Sequence, residues 1–117
     1  MDSILISVKK NLGDEQAYTH FDPDIITHIN SALFALNQLG IGPKNGFVIA
    51  GEQETWSGLL GTRQDLEAVK TYVYLKVKLV FDPPQNSFLV KTIEDQIKEL
   101  EWRLNVQAEG GNNNESN

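Results

Sequence analysis

The sequence predicts a mainly all-α fold: a small helical bundle built on a long antiparallel helical hairpin, with a glycine-rich loop that has room for one short strand. Three observations carry this. Residues 62–106 hold two long apolar-periodic segments broken once, at Asp82-Pro83-Pro84. The second segment repeats apolar residues at helical spacing, and helix-capping residues stand at the predicted starts of the helices.

The second arm of the hairpin is the clearest element. Val90, Ile93, Ile97, Leu100 and Leu104 recur at intervals of 3, 4, 3 and 4, a single stripe on a helix of 3.6 residues per turn. Ser87 is placed as its N-cap. Lys91–Asp95, Glu94–Lys98 and Glu99–Arg103 are opposite charges four residues apart, each pair contributing about 0.3 kcal/mol on an exposed face.

The first arm is ambiguous in isolation. Tyr72-Val73-Tyr74-Leu75-Lys76-Val77-Lys78-Leu79 alternates and is rich in β-branched and aromatic residues, as a half-buried strand is. Read from Thr62, with Asp65 three residues on and no breaker before Phe81, it becomes one helix ending at the prolines. On that helix Leu66, Val69, Val73, Val77 and Val80 form one stripe, and Tyr72, Leu75 and Leu79 a second. A helix apolar over so much of its girth belongs at the centre of a bundle.

Earlier in the chain, Asp2 or Ser3 caps a short helix with Ile4, Leu5, Val8 and Leu12 on one face. Lys9 and Lys10 stand near its C-terminus and Gly13 stops it. Phe21-Asp22-Pro23-Asp24 reads as another helix start, with Asp22 as N-cap and Pro23 at the first helical position, for a helix running from Pro23 to Leu39. Residues 40–61 contain six of the nine glycines. There Phe47-Val48-Ile49 reads as a short strand or an apolar anchor, and Thr55 caps a single turn bearing Trp56, Leu59 and Leu60. A connection of this length is usually functional. The predicted organisation is one domain over 1–108, followed by a Gly/Asn-rich, disordered tail over 109–117.

Sixteen acidic residues against ten basic ones give a net charge of −6, which disfavours tight binding of a polyanion. The absence of cysteine excludes disulfides and thiolate chemistry. No apolar run has the length of a membrane span, and Met1-Asp2-Ser3 opens with an acid where a secretory leader carries positive charge. A soluble, unexported protein is expected.

The strongest candidate for chemistry is His20, Asp22, Asp24 and His28, in which Asp24 and His28 are four residues apart on one helix. The helix-start roles of the two aspartates explain more, and no third ligand is specified, so no metal site is assigned. Gly40-Ile41-Gly42 runs straight into Pro43, which ends the phosphate-cradle reading. No catalytic residue, metal or cofactor is assigned.

Aromatic and aliphatic residues off the core stripe mark a candidate protein interface instead. Trp102 projects away from the Val90–Leu104 stripe, on the side of Asp95, Glu99 and Val106. Large aromatics on charged faces are typical interface anchors. The candidate interface residues are Trp102, Val106, Tyr72, Leu75, Leu79 and, in the long loop, Trp56.

The segments HFDPDIITHINSALFALNQLGIGP (20–43), TRQDLEAVKTYVYLKVKLVFDPP (62–84) and IEDQIKELEWRLN (93–105) resemble the small head-tail connector, or adaptor, proteins of tailed phages and prophages of Gram-positive bacteria. The resemblance covers most of the chain up to Ala108, in helix order and wording rather than in a catalytic motif. It implies a structural virion protein in the neck, assembled in the host cytoplasm as a ring of twelve subunits. The ring would lie between the portal protein and the stopper or tail-completion protein. DNA would pass through its channel without specific binding, and no membrane would be involved. The competing reading is a small helical regulator or DNA-binding module. Against it, Lys76 and Lys78 are the only closely spaced basic pair on the hairpin, and no recognition helix shows a basic face.

Overall fold

The computed structural model describes residues 3–13, 18–61 and 66–116, with side chains described as far as 108. Among these residues the chain forms five helices and no strand: α1 (Ile4–Leu12), α2 (Asp22–Gln38), α3 (Trp56–Leu60), α4 (Leu66–Phe81) and α5 (Ser87–Ser116). The Tyr72–Leu79 stretch is therefore helical. Its alternating pattern reflects burial on two sides rather than a pleat: Tyr72, Val73, Leu75 and Val77 are all buried. α4 is central, packing most extensively against α2 and α5 and also touching α1.

The hairpin is antiparallel. Leu75 of α4 lies by Gln96 of α5, the Tyr72 hydroxyl meets Glu101, and Ala68 lies by Leu104, so the partners run in opposite senses along the two helices. The stripe on α5 closes the core through Ile93, Ile97 and Leu104, and Ala108 extends it. Val80, assigned to the core stripe of α4, is instead exposed in the last turn, where the neighbouring Phe81 takes the contacts with Phe21 and His28.

The helix starts differ from expectation in informative ways. Ser3 caps α1, its Oγ accepting from Ile6 N at 3.3 Å, and Gly13 takes the left-handed conformation that closes the helix. Asp22 is not the N-cap of α2. It is the first helical residue, Phe21 occupies the cap without a side-chain bond, and the Asp22 carboxylate turns to Lys9. The cap of α5 is Asn86 rather than Ser87, its Oδ1 accepting from Phe88 N at 2.7 Å and Leu89 N at 3.3 Å. The Thr62 cap lies outside the described residues. Of the three exposed pairs expected on α5, Lys91–Asp95 at 2.9 Å and Glu99–Arg103 at 2.7 Å form, and Glu94–Lys98 does not. The backbone of α5 is helical to Ser116, past the boundary expected at Ala108. The side chains of 109–117 lie outside the described residues, and the expected disordered tail falls on them.

The 40–61 connection is held down residue by residue. Phe47-Val48-Ile49 is an anchor rather than a strand: Ile49 is buried, and the Asn30 side chain satisfies its backbone on both sides. Asn30 Nδ2 donates to Ile49 O at 3.0 Å, and Ile49 N donates to Asn30 Oδ1 at 2.8 Å. Further on, the Glu54 carboxylate accepts from Ala50 N at 3.0 Å. That bond is the main cause holding its pKa below the ordinary value. Ser3 pairs with Thr55 in an isolated antiparallel bridge, and Ile4 N donates to Glu54 O at 3.0 Å, tying the loop to α1.

Candidate interaction surface

The six residues assigned to an interface from sequence separate into two groups. Trp56, fully buried, fills the core beneath the loop, because Thr55 caps α3 and turns the indole inward. Tyr72 is likewise buried, and its hydroxyl donates to Glu101 Oε2 at 2.8 Å across the hairpin. Burial first, and the Glu101 carboxylate second, push the Tyr72 phenol above its ordinary pKa. Leu75 is buried and Leu79 half-buried. The surface assignment of Trp56, Tyr72 and Leu75 is thus corrected: the chain covers the second stripe of α4 itself.

Trp102, at 68% exposure, and Val106, at 46%, remain on the outside. Regular helix geometry places them there, since the inward direction of α5 is taken by Leu100, Leu104 and Ala108. They rim an apolar groove of about 470 Å³ floored by Ala68, Leu100 and Leu104. Glu67, Arg103 and Gln107 supply its polar edge, and Glu99 holds Arg103 in place. The arrangement offers a flat indole beside a recess flanked by one acid and one base, a composition common in protein contacts.

Other exposed apolar residues were missed from sequence. Phe88, at 75%, and Leu89 stand at the start of α5, and Val80 at the end of α4 lies close to them in sequence. Phe34 on α2 and Val48 in the loop line a second, smaller groove. The signal was present in α2 and α5, where Phe34, Phe88 and Leu89 fall outside the core stripes.

His20 and His28 belong to an aromatic corner. His20 meets the edge of Phe21 at 4.8 Å between ring centroids, Phe21 meets Phe81 at 5.6 Å, and His28 lies 6.4 Å from Phe81. Asp22 is engaged with Lys9 at 2.8 Å. Among the described residues, no three His, Asp or Glu side chains converge as a metal site. No helix among them is long and apolar enough to cross a membrane.

No curated protein and no solved structure matches the chain. A family model described as phage connector protein matches residues 4–111, from the first residue of α1 through most of α5. With the match spanning nearly the whole helical bundle, the chain belongs to the phage connector protein family.

Proposed function

We propose that the chain is a head-tail connector, or adaptor, subunit of the virion neck. It assembles as a ring of twelve between the portal protein and the stopper or tail-completion protein. The ring continues the DNA channel and carries no catalysis. The family match over residues 4–111 carries this reading. Two features support it. The outward face of α5 keeps a solvent-facing indole and an apolar recess that a solitary small protein has no reason to expose. The net charge of −6 repeated around a ring lets duplex DNA pass without adhering.

Assembly takes place in the host cytoplasm, and the contacts to portal and stopper are protein contacts. The test is native mass measurement of the protein alone and mixed with its portal protein. A closed ring, or a stoichiometric complex with portal, is expected. A monomer that ignores portal at every concentration would overturn the proposal.

A further inference from the structure

Beside the hairpin groove, and sharing Glu67 with it, lies another recess of about 460 Å³, between α1 and α4, and its chemistry is different. From α1 it receives Ser7, Lys10 and Asn11; from α4 it receives Lys70, Thr71 and Tyr74. These residues come from segments some sixty positions apart, and the packing of α1 on α4 brings them together. All six side chains can donate hydrogen bonds, and two carry positive charge. The chain spends almost none of this capacity internally. Among the described residues, Ser7, Lys10, Asn11, Thr71 and Tyr74 give their side chains to no hydrogen bond or ion pair. The one acid in the recess, Glu67, is 4.0 Å from Lys70 with its side chain 89% exposed, a weak contact that is free to swing away.

Six donor side chains lining one recess, two of them ammonium groups, form a site complementary to oxyanions. The recess is short and carries two cations, enough for one or two carboxylates but not for the row of phosphates that holds duplex DNA. The chain supplies a matching group. Glu94, Asp95 and Glu99 are exposed within six residues on α5, interleaved with the exposed bases Lys91, Lys98 and Arg103. Glu94 has no ion pair among the described residues, and the other two are held only by exposed partners.

We infer that the α1/α4 recess, through Lys10 and Lys70, receives exposed carboxylates of α5, Glu94 foremost, on a second copy of this chain. This deepens the ring reading and rests on it. The contact is heterologous, with a different surface contributed by each copy, which is the kind that generates rings.

The experiment measures self-association of the full chain by analytical ultracentrifugation or native mass spectrometry at low and high salt. K10E/K70E is expected to weaken association about tenfold or more at low salt, as is E94K/E99K. An equimolar mixture of the two variants is expected to recover assembly, because each altered recess then meets a complementary helix. Melting curves of the monomers check that each variant is folded, and K10Q/K70Q serves as a milder version with a smaller loss.

If wild-type protein assembles and K10E/K70E assembles equally well, this inference is overturned while the ring reading stands. If the variants fail alone and also fail when mixed, α5 is not the occupant. If K10E/K70E instead loses salt-sensitive binding to duplex DNA with self-association intact, the recess serves phosphates. A wild-type chain that never associates, with or without portal, removes both readings together.

Discussion

The phenol of Tyr72 and the carboxylate of Glu101, 2.8 Å apart, are the polar link between the two long helices. Tyr72 is buried and Glu101 half-buried, so the bond is shielded but its acceptor keeps some contact with water. Tyr72→Phe keeps the packing and removes the donor. It is expected to lower stability by about 1.5–3 kcal/mol, the range for a hydrogen bond to a charged group, in chemical denaturation.

The same link gives stability a pH dependence on the alkaline side. The Tyr72 phenol is raised above its ordinary pKa in the folded protein, so the unfolded chain releases this proton first as pH climbs. The contribution is complete below about pH 10, the unfolded value, and falls above it by about 1.4 kcal/mol per pH unit. In urea titrations between pH 9 and 11, wild type should lose stability faster than Tyr72→Phe. Parallel curves would show that the phenol titrates alike in both states.

Lys9 is fully buried, pairs with Asp22 at 2.8 Å and donates to Tyr18 O at 2.9 Å. Removing Asp22 takes a carboxylate away from an ammonium that is wholly out of water, while the Tyr18 carbonyl still accepts from it. Asp22→Ala is therefore expected to lower stability by up to about 3–5 kcal/mol, the scale of a broken buried pair, and Lys9→Met with Asp22→Leu together by less than the sum of the two single changes. Thermal melts of the single and double variants decide the point.

Within the α5 stripe, depth sets the cost of truncation. Leu104 is fully buried and Leu100 only half so. Leu104→Ala should cost about 2–5 kcal/mol and Leu100→Ala distinctly less. Equal losses would mean that the groove beside Leu100 closes in solution.

The two tryptophans should respond in opposite ways. Trp102→Ala is expected to leave the monomer's melt nearly unchanged and to weaken ring formation or portal attachment by about 2 kcal/mol or more. Trp56→Ala should cost the fold about 3–5 kcal/mol, as loss of a buried aromatic does. Assembly assays and melts on the same pair of variants separate the two roles.

How far the sequence could be read tracks how regular each residue's surroundings are. The place of Trp102 followed from its angle on a long helix whose inward stripe was unmistakable. Trp56 had no such angle, because a glycine-rich loop has no period, and only the three-dimensional course of residues 47–55 turns its indole inward. Tyr72 and Leu75 were legible as a second apolar stripe. What lay against that stripe was not, since sequence shows how much apolar surface a helix carries and not whether its own chain covers it. Lys9 looked like an ordinary charge at a helix end. Its burial depends on the start of α2 coming alongside, a contact between distant segments that leaves no local mark. The caps at Asp22 and Ser87 were displaced by one residue, the usual ambiguity where several capping residues stand together.

The ties between Ser3 and Thr55, Ile4 and Glu54, and Lys9 and Asp22 have a consequence for the order in which the chain can fold during synthesis. α1 emerges from the ribosome before any surface it docks on. The start of α2 follows about ten residues later, and the partners of α1 on the loop and on α4 only some fifty to seventy residues later. At about 5–20 residues per second, Ile4, Leu5 and Val8 remain incompletely covered for several seconds. α1, made before the other four helices, is thus among the last of them to be fully packed, and nascent chains halted before α4 should remain open to protease within residues 4–12.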